Sequence, residues 1–295
     1  MNLSLTQAGA HTYYFDLPCK VGVYTPDGEN VYLIDSGAHK DNAKKLLRAL
    51  REKGWNLRGI LNTHAHADHI GGNRYLQEQT GCAAFCSDGE LGLTRHPLLQ
   101  TTSLYGGFAH KDLRHKFLLA QESNPLPFSD PLFPQEIEVV PLPGHSFDMV
   151  GFRTPDDVVF IADSVCSETT LEKYGVTFYH NIAQSLQTFD KLDTLQAKLF
   201  VPAHAPAGTD IHALVALNRQ KMNEVADFLC KQCKTPQTFD SLLQSVFNAY
   251  SLTMNHEQHT LVGSTVRSYL SYLYDTEKIN TDFTNNILYY NTIFY

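Results

Sequence analysis

Residues 63–72 read THAHADHIGG, a stretch that places His64, His66, Asp68 and His69 within six positions. Neutral imidazole nitrogens and carboxylate oxygens are the donors that borderline and hard divalent cations take, Zn²⁺, Fe²⁺ and Mn²⁺ among them. On an extended segment residues i and i+2 point the same way, so His64 and His66 can grip one ion together. Asp68 and His69 fall where the chain turns into a helix (LQEQT follows) and can aim at a second ion. Three later segments each end a strand-like run with one more donor: His145 in PLPGHS, Asp163 in FIADS and His204 in VPAHAP. Ligand sites of α/β folds gather at the carboxyl ends of strands. Five histidines and two aspartates exceed what one tetrahedral ion takes. The surplus is what a two-cation site needs, with one carboxylate shared.

Taken singly, His145 or His204 reads as a loop histidine, and Asp163 as a residue capping the following helix. Their ordered company changes that reading. The other nine histidines, His39, His96 and His212 among them, read as surface or packing residues. His110 and His115 in a central insertion, and His180 after Phe178 and Tyr179, are candidate substrate contacts, together with Tyr105, Phe108 and Tyr179. Cys230-Lys-Gln-Cys233 has no second pair to complete a metal site and reads as helix-end packing.

The elements that must position these donors follow from periodicity. HTYYFDLP, VGVYTP and NVYLIDSG read as strands, with a hairpin signal at Pro26-Asp27-Gly28. Ala43, Leu46, Leu47 and Leu50 mark a helix over 39–53 that Gly54 ends. LRGILNTH, residues 57–64, is a buried strand delivering the histidine cluster. Residues 97–133, rich in Pro and Gly, read as a lid insertion. Strands return at EIEVVPLPGHS, MVGFRTPD, VVFIADS and KLFVPAHAP, with a helix over 181–196 before the last. Beyond Pro206 the texture is helical: an apolar stripe through Ile211, Leu214, Val215, Met222, Val225 and Leu229, then helices near 237–249 and 259–274. A hairpin turning at Thr284, Asn285 and Asn286 closes the chain. The expected domains are 1–207, carrying the lid, and a small one over 208–295.

The ordered set HAHADH, GHS, ADS and AHA resembles the metallo-β-lactamase superfamily in its glyoxalase II-like dinuclear branch, over about residues 10–207. The resemblance implies an α/β fold, a four-layer αββα sandwich with metals at one edge of its two sheets. The small, mainly helical C-terminal domain is similar to a winged helix. Carried over, the family pattern implies His64, His66 and His145 on one metal, Asp68, His69 and His204 on the other, and Asp163 bridging. Asp35, after VYLI, matches an early aspartate that orients a ligand. Two divalent ions are implied, zinc first, with iron or manganese as alternatives. A hydroxide between them would attack an ester, thioester or lactone carbonyl of a small molecule, with Asp68 and Asp163 as the catalytic carboxylates. No G-x-S-x-G elbow competes. Asp163 stands where class B β-lactamases have Cys or Ser, His66 where flavodiiron proteins have Glu, and the short 163–204 gap excludes the nuclease insertion of the RNA-cleaving branch. A phosphodiesterase or endoribonuclease, and a mononuclear iron persulfide dioxygenase, are the alternative activities.

Composition bounds the partners. The chain is 43% hydrophobic and 18% charged, with net charge −8, as in an ordinary globular protein. Residues 208–295 hold six Lys/Arg against eight Asp/Glu, which disfavours nucleic acid. No apolar run approaches the roughly 18 residues of a membrane helix, and no signal-peptide pattern opens the chain. Six sparse cysteines suit a reducing compartment. The expectation is a cytoplasmic enzyme with a small-molecule substrate and no membrane partner, a homodimer being the candidate assembly.

Overall fold

In the computed structural model, which describes residues 3–292, the apolar runs of the first half become strands and the 3.6-residue stripes become helices. β1 (Leu5–Gln7), β2 (Thr12–Phe15), β3 (Val21–Tyr24), β4 (Asn30–Ile34), β5 (Asn56–Leu61), β6 (Ala83–Cys86) and β7 (Pro125–Pro127) lie side by side in chain order. The first four are antiparallel, and β4 to β7 run parallel. Parallel neighbours need crossovers. α1 (Lys40–Glu52) makes the first, burying Ala43, Leu46, Leu47 and Leu50. Gly54 ends it at φ 73, where a side chain would be strained. The second crossover carries α2 (Ala67–Ile70) and α3 (Asn73–Thr80).

β8 (Glu138–Pro141), β9 (Val150–Arg153), β10 (Val158–Cys166) and β11 (Leu199–His204) form a second sheet in the order β11-β10-β9-β8. Three buried clusters make the layers explicit. One, with Leu33, Leu46, Leu50 and Ile60, joins α1 to the outer face of the first sheet. The next, with Ile34, Leu61, Phe85, Phe152 and Phe160, fills the space between the sheets. The third, with Val159, Phe189, Val215 and Val266, covers the outer face of the second sheet with helices. The architecture is the four-layer αββα sandwich.

The insertion supplies α4 (Asp88–Arg95) at its approach, α5 (Leu98–Tyr105), a 3₁₀ turn at Lys111–Leu113 and then β7. β7 therefore belongs to the sheet rather than to a free lid. Its two prolines lack amide donors and are tolerated because the strand is an edge. α6 (Glu168–Tyr174) and α7 (Ile182–Thr194) connect β10 to β11. α8 (His212–Gln232), α9 (Phe239–Ala249) and α10 (His256–Asp275) follow, and they share one continuous core with β10 and α7. α10 starts three residues earlier than its periodicity predicts because the Asn255 side chain accepts from the Gln258 amide at 2.8 Å. β12 (Ile279–Thr284) and β13 (Ile287–Thr292) pair about Asn285 and Asn286, both with positive φ as a tight hairpin requires. Residues 293–295 of the expected C-terminal unit lie outside the described residues. Among those described, no helix is long and apolar enough to cross a membrane.

Phe152 is wholly buried between the sheets, with its ring edge-on to Phe128 at 5.6 Å. Phe152→Ala should cost about 3–5 kcal/mol in urea unfolding. Phe283→Ala, on the exposed hairpin, should stay within about 0.5 kcal/mol of the parent.

Candidate metal centre

Each donor reaches the site because the backbone before it does something specific. β5 ends at Leu61, and the chain turns through Asn62–His66 into α2. The Gly71-Gly72 pair behind the histidines lets this turn lie directly on residues 36–38. A Cβ on Gly71 would collide with the Ala38 carbonyl oxygen, and one on Gly72 with that of Ser36. Ser36 clamps the turn, its amide and hydroxyl donating to the His69 carbonyl at 2.8 and 3.0 Å. In β10 the register shifts on both sides of Ala162, which takes φ 49, and this bulge turns Asp163 toward the site. His145 follows Gly144, whose φ of 123 and close approach to Ser185 exclude a side chain. His204 ends β11.

The seven donors converge in two groups. In the first, His66 Nδ1 lies 2.9 Å from His64 Nε2 and 3.0 Å from His145 Nε2. In the second, His204 Nε2 lies 3.2 Å from Asp68 Oδ2, and His69 Nε2 lies 3.8 Å from the same oxygen. Asp163 stands between them. Its Oδ1 is 3.1 Å from His69 Nε2, and its Oδ2 is 3.4 Å from both His145 Nε2 and His204 Nε2.

Outer partners fix which nitrogen faces inward in four of the five rings. His69 Nδ1–H donates to Asp35 Oδ2 at 2.7 Å. His145 Nδ1–H donates to the Phe178 carbonyl at 3.1 Å, and His204 Nδ1–H to that of Pro18 at 2.8 Å. Thr63 donates its amide to Asp35 Oδ1 and its hydroxyl to Oδ2, both at 2.8 Å, so its oxygen can receive His64 Nδ1–H at 3.1 Å. Asp35 pays for this position with a left-handed backbone, φ 63. In their neutral form these four rings present a lone pair inward, as metal-ligating histidines require.

The electrostatics divide the same way. Burial lowers His64 well below the ordinary imidazole range, helped by His69 and His66. Burial with His145 takes His66 to about 3, and burial also lowers His145. The first group is three neutral imidazoles. In the second, burial opposes charge on Asp163, but His204 and His69 outweigh it and hold that carboxyl well below its usual range. Asp68 is lowered in the same way, burial being overcome chiefly by His69 and His204. Asp163 raises His204, while on His69 burial is overcome by Cys19, Asp163 and Asp35. Protons on two imidazoles thus supply the positive charge that the buried carboxylates demand. A divalent cation meets the same demand and leaves the imidazoles as ligands. Asp163 Oδ1 is buried and, among the described residues, has no hydrogen-bond partner. The donor set fits metal ions.

Four residues at the site carried no signal in the sequence. Cys19 Sγ approaches His69 Nε2 to 3.5 Å and clusters with Asp68, His69 and His204. Thr63 links Asp35 to His64, and Phe178 packs on His66 and His145 with ring centroids 5.4 and 5.6 Å away. Glu90, buried in α4, accepts from the Ala65 amide at 3.1 Å, the Ser146 hydroxyl at 2.6 Å and the Asp148 amide at 3.0 Å. It ties the His64–His66 turn to the His145 loop, and burial raises its carboxyl.

A cavity of about 620 Å³ opens over the donors, walled by Leu104, Phe117, Leu118, Phe178 and, from α10, Leu261 and Val262. Tyr105, Phe108 and His110 do not line it. Tyr105 is edge-on to His110 at 5.6 Å, His110 meets His256 of α10 at 4.7 Å, and Phe108 points to solvent beneath Arg114. Tyr179 is buried behind His145. His180 lines a small cleft beside His66 and His145 and packs on Phe147 at 3.9 Å. His115 pairs with Glu257 of α10 at 3.5 Å, so the insertion and the C-terminal helix meet over the site.

The profile of the family described as the metallo-beta-lactamase superfamily matches residues 14–204. A hydroxyacylglutathione hydrolase of Methylococcus capsulatus is 46% identical over 48 residues, 16% of this chain and 19% of that protein. One of Hahella chejuensis is 27% identical over 176 residues, 59% of this chain and 56% of that protein. The chain thus spans little more than half the length of these relatives at most. A β-lactamase domain protein of Burkholderia ambifaria superposes with TM-score 0.77 over 98% of this chain and 94% of its own, at 14% identity, a likeness of fold alone.

Asp35→Asn removes a charge from the outer partner of His69 while keeping a residue that tolerates the left-handed backbone. Zinc affinity, read by competition with a chromophoric chelator, should fall about 10–100-fold with the far-ultraviolet circular dichroism unchanged.

Proposed function

Because the chain belongs to the metallo-β-lactamase superfamily, we propose that it is a metal-dependent hydrolase of a small molecule carrying an ester, thioester or lactone carbonyl. The observation that carries this reading is the place of Asp163, a single buried carboxylate within 3.4 Å of inward nitrogens from both donor groups. His64, His66 and His145 would hold one divalent cation, and Asp68, His69 and His204 a second, with Asp163 shared. Zinc suits the imidazole-rich set best. When bound, the ions supply an acidified water for attack on the carbonyl and Lewis-acid stabilisation of the oxyanion.

The side chains do the rest. Asp68 is ionised and lines the cavity, where its carboxylate can take the proton released on attack and return it to the leaving group. Asp35 and the Phe178 carbonyl keep His69 and His145 from rotating out of register. Leu104, Phe117, Leu118 and Leu261 exclude water and offer an acyl chain an apolar wall.

Among the described residues Lys173 is the single Lys or Arg lining the cavity, too little cationic charge for a phosphodiester backbone, which favours the carbonyl substrates over the nuclease alternative. Within the carbonyl set, relatives named hydroxyacylglutathione hydrolases favour a thioester.

Metal-reconstituted protein should turn over acyl thioesters or activated aryl esters at least about tenfold faster than a phosphodiester or a β-lactam, a margin of 1.4 kcal/mol in activation free energy, roughly. A preference for the phosphodiester would transfer the assignment to the nuclease branch. Asp163→Ala should lose one bound ion and about 10²-fold or more in kcat, the scale on which removal of one charge-stabilising group is felt, while remaining folded. Unchanged turnover would show that Asp163 is not shared.

A further inference from the structure

We propose that Cys19 is a fourth protein donor at the second cation position, so that this position is a thiolate site of Cys19, Asp68, His69 and His204, with Asp163 facing it. The inference rests on the reading of Asp68, His69 and His204 as cation ligands, and adds to it the sulfur and its consequence for metal choice.

The ligand atoms of these four residues all lie within 4.8 Å of one another. Two of the edges match the spacing of neighbouring ligands on zinc. Zn–S bonds of about 2.3 Å and Zn–N bonds of about 2.0–2.1 Å put sulfur and nitrogen about 3.5 Å apart, and nitrogen and oxygen about 3.3 Å apart. Cys19 Sγ lies 3.5 Å from His69 Nε2, and Asp68 Oδ2 lies 3.2 Å from His204 Nε2. The second observation pointing to a ligand is Asp163, 8% exposed, whose Oδ1 has no hydrogen-bond partner among the described residues and is directed at His69 Nε2, the nitrogen that Cys19 also faces.

The sulfur is held in place by construction. Cys19 sits in the β2–β3 connection, 5% exposed, and both its neighbours are stitched to the segment that carries His204. The Pro18 carbonyl accepts His204 Nδ1–H at 2.8 Å. The Lys20 amide donates to Ala203 O at 3.1 Å, and Lys20 Nζ to Ala205 O at 2.8 Å. Loop 18–20 and the end of β11 therefore move as one unit, with the thiol between His69 and His204.

The chemistry follows. As the bond forms, the Sγ–H proton leaves to solvent and the sulfur lone pair goes to the cation. A thiolate among nitrogen and oxygen donors favours zinc and cobalt over manganese and magnesium, which prefer all-oxygen surroundings. The first position, three imidazoles, also suits zinc but lacks the softer sulfur. The two positions of one site thus differ in softness.

The test is a cobalt titration of the metal-free full chain, read by absorption. Thiolate-to-cobalt charge transfer gives a near-ultraviolet band that imidazole and carboxylate do not. The parent should develop this band over one of two bound equivalents. Cys19→Ser should lack it while still binding cobalt, and Cys166→Ser, which removes the thiol that lines the cavity, should keep it. In zinc competition Cys19→Ser should weaken one position by at least the about tenfold that loss of an outer partner costs, and should narrow the preference for zinc over manganese. Two bound cobalt ions without the band in the parent, or a band that survives Cys19→Ser, would overturn the thiolate and leave the hydrolase reading standing. Failure of the parent to bind cobalt at all would overturn both. Because the parent's own spectrum decides the first question, the inference remains falsifiable even if a variant does not fold.

Discussion

One buried carboxylate between two sets of imidazoles is the constraint around which this molecule is arranged. Ionised Asp163 in an enclosed site is costly unless positive charge stands beside it, and a group left unpaired there would cost several kcal/mol, in order of magnitude. The chain has assembled His64, His69, His145 and His204 around that carboxylate, with His66, Asp68 and Cys19 clustered beside them. Two protons on His69 and His204, or cations in their place, complete the balance. The first group has the opposite character, three imidazoles kept neutral by burial and by one another.

The fold serves this balance by bringing strand ends from both sheets to one edge. β5 delivers the histidine turn, while β10 and β11 deliver Asp163 and His204 from the second sheet. None of these placements is soft. The Gly71-Gly72 contact, the bulge at Ala162 and the positive φ of Asp35 and Gly144 each fix a backbone conformation that few residues accept. Glu90 then couples the turn to the His145 loop through three hydrogen bonds, so the first donor group is positioned as a block. Over this rigid base the cavity walls come from the insertion and from α10, elements joined by the His110–His256 and His115–Glu257 contacts. Rigid donors with walls drawn from variable segments are how one metal scaffold takes on different substrates.

What could be read in the amino-acid sequence was set by local signals. Each of the seven donors follows an apolar run or sits in a dense cluster, so the chain itself announces them, and the sandwich follows from strands alternating with helical stripes. Cys19 stands 45 residues before His64 with nothing around it to mark a ligand, and only the folded contact between loop 18–20 and the end of β11 brings it to the site. Glu90 looks like any acidic residue on an amphipathic helix until its burial against Ala65 and Ser146 is seen. The aromatic residues of the insertion show the limit of a different kind. Their apolar character was legible, but Tyr105 and Leu104 are about 100° apart around α5, and only Leu104 faces the cavity. Rotation about a short helix is decided by tertiary packing, as with α10, whose start is set by the Asn255 cap rather than by the apolar stripe.

The central claim is that Asp163 is shared by two cations held by different donors. A crystal grown with excess zinc and measured on both sides of the zinc absorption edge tests it without recourse to activity. The account predicts two anomalous peaks about 3.5–4 Å apart, one among His64, His66 and His145 and the other among Asp68, His69 and His204, each in contact with Asp163. A single peak, or a pair that Asp163 does not touch, would contradict it.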